Sequence, residues 1–147
     1  MVHIELLPAN CESEFADERL AGDWAAALPA MLAVPQRPPW CSYAARADGR
    51  VVGLGGFKGP PDENGTVEIS YLTLLPDQGR GVASAICAGL VEMAFANHAL
   101  AILAHTLPEE NASTGVLRQR QFRFIGDRMD PEDGLVWRWM LPGPTMR

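Results

Sequence analysis

Apolar and polar residues alternate along Thr66–Leu75, where Val67, Ile69 and Tyr71 are separated by polar side chains. A period of two predicts a β-strand. From Leu72 onward the residues are mostly apolar, which is consistent with a bulge or with burial of both faces. The pattern therefore predicts a long strand whose carboxyl end differs from its start.

A second pattern follows over Gly81–Asn97, where Val82, Ile86, Leu90 and Met93 recur every three or four residues. This spacing places the four side chains on one stripe of an α-helix. The segment is the clearest predicted helix in the chain.

Shorter runs with the same two periods predict the remaining elements. Asp48 and Gly49 separate two apolar runs, a strong hairpin signal. The other predicted strands are His3–Leu7, Cys41–Ala47, Val51–Lys58, Leu100–Thr106, Phe122–Met129 and Leu135–Leu141, and the other helices are Cys11–Met31 and Asn111–Arg120. The order β-α-β-β-β-α-β-α-β-β predicts an α/β fold of the α+β type. Its sheet has about seven strands and is mostly antiparallel, since only the crossover at 66–106 needs parallel pairing.

Length and charge narrow the class of protein. A chain of 147 residues with 48% apolar residues favours one domain over 1–147. No apolar run approaches the roughly 20 residues of a membrane span, and the amino terminus lacks the basic region of a signal peptide. The net charge of −6, without a basic stripe, argues against nucleic acid as a partner. Three widely spaced cysteines favour a reducing cytoplasm over a disulfide framework.

The strongest chemical signal is the turn between the long strand and the best helix. The turn consists of Gln78, Gly79, Arg80, Gly81, Val82 and Ala83. Glycines let backbone amides approach an anion closely, and the helix that follows offers unpaired N–H groups and the positive end of its dipole. With the positive charge of Arg80, these features predict a cradle for a pyrophosphate.

Two other phosphate motifs are excluded. The chain contains no Walker sequence, and Gly53–Lys58 begins like a dinucleotide fingerprint but lacks the third glycine and a following helix. The glycines of that segment therefore predict close packing.

The turn resembles the cofactor signature of the GCN5-related N-acetyltransferases, Gln/Arg-x-x-Gly-x-Gly/Ala, with Gln78, Gly81 and Ala83 at the matching positions. Further similar features occur in the family's order over roughly residues 41–141. These are the strand segment Glu68–Tyr71, the strand ended by Pro76, the segment Asn111–Ser113 and the helix end Leu117–Phe122. Two positions depart from the family, since Leu117 stands where many members have a tyrosine acid and Gln121 where they have glycine.

The resemblance implies acetyl-CoA as the cofactor. Backbone amides of the strand end, including Leu74 and Leu75, would pair with the pantetheine arm as an added strand would. The amides of Gln78, Gly79, Arg80, Gly81, Val82 and Ala83 would hold the pyrophosphate, and Asn111 would contact the arm. No metal is implied.

For catalysis, the resemblance points to Glu68 as the base that takes a proton from the acceptor amine. The alternative is a strand carboxylate paired with a neighbouring cation. Ser113 is the candidate acid in place of the missing tyrosine, and its alternative is the N-cap of a helix. His105 lies near the predicted cofactor arm, where contact with the substrate is the minor alternative.

The expected function is transfer of an acetyl group from acetyl-CoA to a primary amine of a small molecule or protein, by direct attack in a ternary complex. One rival is a CoA-binding module of the same fold without catalysis, and another is an enzyme that binds a nucleotide at the glycine turn. The acceptor's identity and the choice between monomer and homodimer stay open.

Overall fold

The computed structural model describes residues 3–8, 37–73, 78–131 and 133–144. These residues form one seven-stranded sheet in the order β1-β2-β3-β4-β5-β7-β6 and two helices. The strands are β1 (Glu5–Pro8), β2 (Ser42–Ala47), β3 (Arg50–Phe57), β4 (Thr66–Thr73), β5 (Ala101–Thr106), β6 (Arg123–Asp130) and β7 (Gly134–Pro142), and the helices are α1 (Val82–Ala96) and α2 (Ala112–Gln119). The predicted helix Cys11–Met31 lies outside the described residues.

The predicted mixed sheet and its order of elements are confirmed over the described ranges. β4 and β5 are the one parallel pair among the strands described, and α1 makes the crossover between them. β2 and β3 form the predicted hairpin, with positive φ at Asp48 (53°) and Gly49 (77°). Two positive φ angles are typical of the type I′ turn that suits the twist of a hairpin. Neither described helix is long and apolar enough to cross a membrane.

The glycines of β3 allow α1 to lie close to the sheet. A Cβ atom built on Gly55 would lie 2.5 Å from Cγ2 of Ile86, and one on Gly53 would lie 2.9 Å from its Cδ1. Ile86 is fully buried at the centre of α1. The predicted close packing at these glycines is confirmed, and it sets the height of α1 above β3.

β4 and β5 separate towards their carboxyl ends. Their pairing runs from Thr66 opposite Ala101 to Ile69 opposite Ala104 and extends no further in the described residues. Beyond these pairs β4 continues to Thr73 and β5 to Thr106. A V-shaped opening in the sheet therefore begins next to Ile69 and Ala104.

The apolar run at the end of β4 was expected to reflect a bulge or burial of both faces, and neither is found in the described residues. β4 stays paired with β3 from Ile69 to Thr73 without a shift in register, so this part contains no bulge. Leu72 is 44% exposed, so the strand is not buried on both faces. By alternation Leu72 lies on the same face of β4 as Glu68, opposite α1.

Helix α2 ends in a Schellman motif centred on Gln121. The N–H of Phe122 donates to the carbonyl of Leu117 and that of Gln121 to the carbonyl of Arg118, while Gln121 has φ 69°. A left-handed residue at this position is usually glycine. Gln121, which stands where the family has glycine, therefore adopts a backbone conformation that favours glycine.

Candidate active site

A cavity of about 560 Å³ lies where the end of β4, the glycine turn and the amino-terminal ends of α1 and α2 meet. It is lined by Tyr71, Leu72, Thr73, Gln78, Gly79, Gly81, Val82, Ala83, Ser84, Ala112, Ser113, Gly115, Val116 and Gln119. Five of the residues expected to hold a cofactor therefore lie on one concave surface.

The glycine turn presents its backbone to this cavity. Gly79 and Gly81 have φ of 78° and 83°, and a Cβ atom built on either would meet no atom within 4 Å. The space at the turn is thus kept open by the absence of side chains. Gly81 is the N-cap of α1 and makes no side-chain cap, so the first N–H groups of the helix are available to an anion.

The other residues predicted to contact the cofactor do not all lie on the cavity wall. Arg80 is exposed and is not part of the cavity wall. Gln78 donates from its side-chain amide to the carbonyl of Thr73 at 3.4 Å, which ties the two ends of the 74–77 connection together. Leu74 and Leu75 lie outside the described residues.

Asn111 and Ser113 have separate positions at the start of α2. Asn111 is the N-cap: its Oδ1 accepts a hydrogen bond from the Thr114 N–H at 3.0 Å, and Thr114 Oγ1 accepts one from the Asn111 N–H. The alternative reading of Ser113 as the N-cap is therefore wrong. Ser113 instead lines the cavity, whereas Asn111 is absent from its wall.

Tyr71 extends from β4 beneath α1 and brings a hydroxyl to the cavity wall. Its neighbours there are Ser113 and Cys87, yet its Oη makes no well-formed hydrogen bond. Burial raises the pKa of Tyr71 well above its usual value, and the nearby Cys87 thiol adds to that effect. The phenol therefore stays protonated at neutral pH. Leu117, at the position of the family's tyrosine acid, is fully buried and cannot serve as a proton donor.

Glu68 lies on the opposite face of β4 from Tyr71, as the alternation predicts. Its Oε2 is 2.8 Å from Nζ of Lys58 and 3.6 Å from Nδ1 of His105. Burial by itself would lower the pKa of Lys58. The hydrogen bond to Glu68 and the charges of Glu68, Asp133 and Asp130 together have a larger, opposite effect, so the net pKa is raised and the ammonium is retained. The expected alternative for Glu68, an ion pair with a cation, is present in this structure.

Sequence reasoning did not select Tyr71 or Arg120 as site residues. Arg120 donates to Ser84 Oγ at 2.9 Å, which brings a positive charge to the rim of the cavity from the far end of α2. A cluster of Arg118, Arg120 and Arg123 is visible in the sequence, but only the packing of α2 beside α1 shows which of them reaches the site. No group of three or more potential metal ligands occurs among the described side chains.

The fold is shared with solved acetyltransferase structures. An IAA acetyltransferase from Bacillus cereus ATCC 14579 has a TM-score of 0.70 at 17% identity, over 97% of this chain and 100% of that one. Mycobacterium smegmatis RimJ, in complex with CoA-disulfide, has a TM-score of 0.65 at 21% identity, over 72% of this chain and 54% of that one. The yncA structure from Salmonella typhimurium, a putative acetyltransferase with acetyl-CoA, has a TM-score of 0.59 at 18% identity, over 69% and 63%.

For several such relatives, the alignment spans only about half to two thirds of their length. No curated protein sequence matches this chain significantly. The model of the acetyltransferase (GNAT) domain family matches residues 8–123, which is most of the chain and includes the glycine turn, the opening between β4 and β5 and both helices. The chain therefore belongs to the GNAT acetyltransferase family.

Proposed function

We propose that this protein is an N-acetyltransferase that moves an acetyl group from acetyl-CoA to a primary amine by direct attack in a ternary complex. The observation that carries the proposal is the cavity, because it joins an anion cradle at Gly79–Ala83 to the opening between β4 and β5. The two neighbouring structures solved with a CoA compound support the choice of donor.

The residues around the cavity fit a CoA molecule. The left-handed glycines leave room that a Cβ would fill, and the uncapped start of α1 supplies N–H groups and a positive dipole end for a pyrophosphate. The guanidinium of Arg120 adds positive charge at the rim. The unpaired side of β4 at Ser70–Thr73 offers backbone groups to an extended amide chain. Acetyl-CoA, when bound, supplies a thioester carbonyl as the electrophile.

An amine acceptor is supported by the charges on the opposite face of the sheet. Glu68, Asp130 and Asp133 all act on the Lys58 ammonium, so this face already holds a primary ammonium group. A second alkylamine would meet the same carboxylates. Loss of its proton is required before attack, because an alkylammonium has no free electron pair.

Three groups of the chain would share the chemistry. Glu68 supplies the carboxylate that helps remove the acceptor's proton. A backbone N–H of β4 at the opening stabilises the negative charge that develops on the carbonyl oxygen. Ser113, with the protonated Tyr71 hydroxyl beside it, supplies the proton for the departing thiol.

Two measurements test the proposal in sequence. Saturating acetyl-CoA and CoA should each raise the melting temperature, whereas ATP should not. Thiol release is then followed with spermidine, lysine methyl ester and a tetrapeptide with a free amino terminus. Glu68→Gln should retain the thermal shift and lose turnover by about 100-fold or more, while Glu92→Gln, an exposed carboxylate of α1, should match the wild type.

A CoA-binding module without catalysis is the second candidate, favoured by Leu117 in place of the tyrosine acid. It predicts a thermal shift with both CoA ligands and no thiol release above the hydrolytic background with any amine. Absence of a shift with either CoA ligand would contradict both candidates.

A further inference from the structure

His105 lies beside Glu68 at the point where the sheet opens. The last residue pair between β4 and β5 is Ile69 with Ala104. His105 follows Ala104 on β5, and Glu68 precedes Ile69 on β4. Both side chains lie on the face of the sheet opposite α1, where the two ring nitrogens of His105 are buried. The pair therefore lies at the apex of the V, next to the end of the donor cavity.

The His105 side chain is 12% exposed, and neither ring nitrogen makes a hydrogen bond. A buried polar group without a partner is costly and calls for an explanation. Nδ1 is 3.6 Å from Glu68 Oε2, a few tenths of an ångström beyond a hydrogen bond. Such distances in ligand-free sites commonly shorten when substrate binds.

The Glu68 carboxylate is already engaged. Its Oε2 accepts a hydrogen bond from the ammonium of Lys58 at 2.8 Å. A carboxylate has enough acceptor sites to bind an ammonium and an imidazole N–H together. Holding one ring nitrogen of a histidine, so that the other stays free as a base, is an established use of a carboxylate.

We propose that His105 is the catalytic base that takes the proton from the acceptor amine, and that Glu68 is the residue that positions its ring. This inference rests on the proposed acetyltransferase function and assigns the base within it. Glu68 accepts the Nδ1–H, and Nε2 of His105 receives the proton from the acceptor.

The proton and electron balance is complete without a further reactant. The acceptor ammonium transfers one proton to Nε2, and its freed electron pair forms the C–N bond as the C–S bond breaks. The thiolate keeps the electron pair of that bond and is protonated by the donor at Ser113 and Tyr71. The nitrogen still carries two hydrogens after the C–N bond forms; it loses one of them, which restores the proton of the donor at Ser113 and Tyr71, and the imidazolium returns its own proton to water. The net products are the amide, free CoA thiol and one proton.

Charged groups on the neighbouring elements face His105. Glu68 lies on β4, Lys58 follows β3 and Arg138 is the register partner of His105 on β7. Asp130 and Asp133, at the β6–β7 connection, act on the Lys58 ammonium. The Arg138 Nε is also buried without a hydrogen bond.

The test compares the pH dependence of kcat/KM in the variants His105→Gln, His105→Asn and Glu68→Gln, using the amine that the wild type acetylates best. In the wild type kcat/KM should fall about tenfold per pH unit on the acidic side, as an essential base becomes protonated. Both His105 variants should be about 100-fold slower than the wild type at neutral pH, and the difference should shrink as the pH approaches about 10.4, where the acceptor amine loses its proton without a base. Glu68→Gln should also be slower at neutral pH, and His3→Gln, an exposed histidine, should behave as the wild type.

A thermal shift with CoA checks that each variant still folds and binds the donor. A His105 variant that binds CoA and keeps the wild-type rate at neutral pH would overturn the inference. So would a wild-type rate in Glu68→Gln, the variant that remains informative even if neither His105 variant folds. Failure of the proposed function has a different signature, because the wild type itself would then acetylate no amine.

Discussion

Gly81 shows how much a single residue contributes at the proposed donor site. Its φ of 83° is accessible at low cost only to glycine, and the space where a Cβ would lie is empty. The residue ends the turn and caps α1 at the same time. Gly81 therefore has two roles: it adopts the left-handed backbone conformation of the turn, and it leaves room for a ligand. The two roles can be separated experimentally.

Gly81→Ala should weaken CoA binding by about tenfold, equivalent to about 1.4 kcal/mol, because the new methyl group occupies the anion cradle. Gly49→Ala is the matched control, since Gly49 has φ 77° and equally open surroundings but lies in the β2–β3 turn. Both variants should lose about 1–2 kcal/mol of unfolding free energy from left-handed strain. Titration calorimetry with CoA separates the effects, and equal dissociation constants for the two variants would contradict the cradle.

At the scale of elements, the contact between α1 and β3 decides where the cradle lies. α1 carries the helix end that lines the cavity, and the glycines of β3 determine how closely the helix approaches the sheet. Ile86 fills the space above Gly55, so the position of the helix depends on a side chain fitting against a bare backbone.

Gly55→Ala should lower the unfolding free energy by about 1–3 kcal/mol, because its Cβ would lie 2.5 Å from Ile86 and 3.3 Å from Leu90. Ile86→Ala alone should cost about 2–5 kcal/mol through the cavity it leaves. In the double variant the added methyl group uses that space, so the total cost should be smaller than the sum by at least about 1 kcal/mol. Urea unfolding measures all three, and additive costs would show that the helix adjusts freely above β3.

At the scale of the whole molecule, the buried thiol of Cys87 links stability to alkaline pH. Burial raises its pKa to about 12, with a smaller opposing effect of the Arg120 charge and Tyr71. In the unfolded chain the thiol ionises near its ordinary value of 9.0. Its contribution to stability is therefore complete below pH 9 and is lost as the pH rises towards 12.

Between pH 9 and 10 the unfolding free energy of the wild type should fall, with Cys87 contributing up to about 1.4 kcal/mol per pH unit. Cys87→Ala should fall less steeply by as much as that amount. Cys41, whose pKa burial also raises, is present in both proteins and does not affect the difference. Parallel stability curves would show that Cys87 ionises in the folded protein as readily as in the unfolded chain.

The sequence predicted those features whose signals are local. The hairpin at Asp48-Gly49, the crossover through α1 and the open glycine turn before α1 each depend on residues close together in the chain. The pairs Tyr71 with Ser113 and Glu68 with His105 depend instead on the packing of α2 and on the register of β4 against β5. No local pattern specifies that register, and a shift of one residue would turn His105 to the other face.

The early end of the β4–β5 ladder has a consequence for exchange of backbone hydrogens. Within a sheet, amides that face a missing neighbour behave like those of an edge strand, although β4 lies at the centre of this one. In the ligand-free protein, alternate amides of Ser70–Thr73 should therefore exchange with solvent much faster than those of Val67–Ile69. In the proposed complex with acetyl-CoA, the pantetheine arm would remove this internal edge, and the centre of the sheet would be continuous only while the arm is bound.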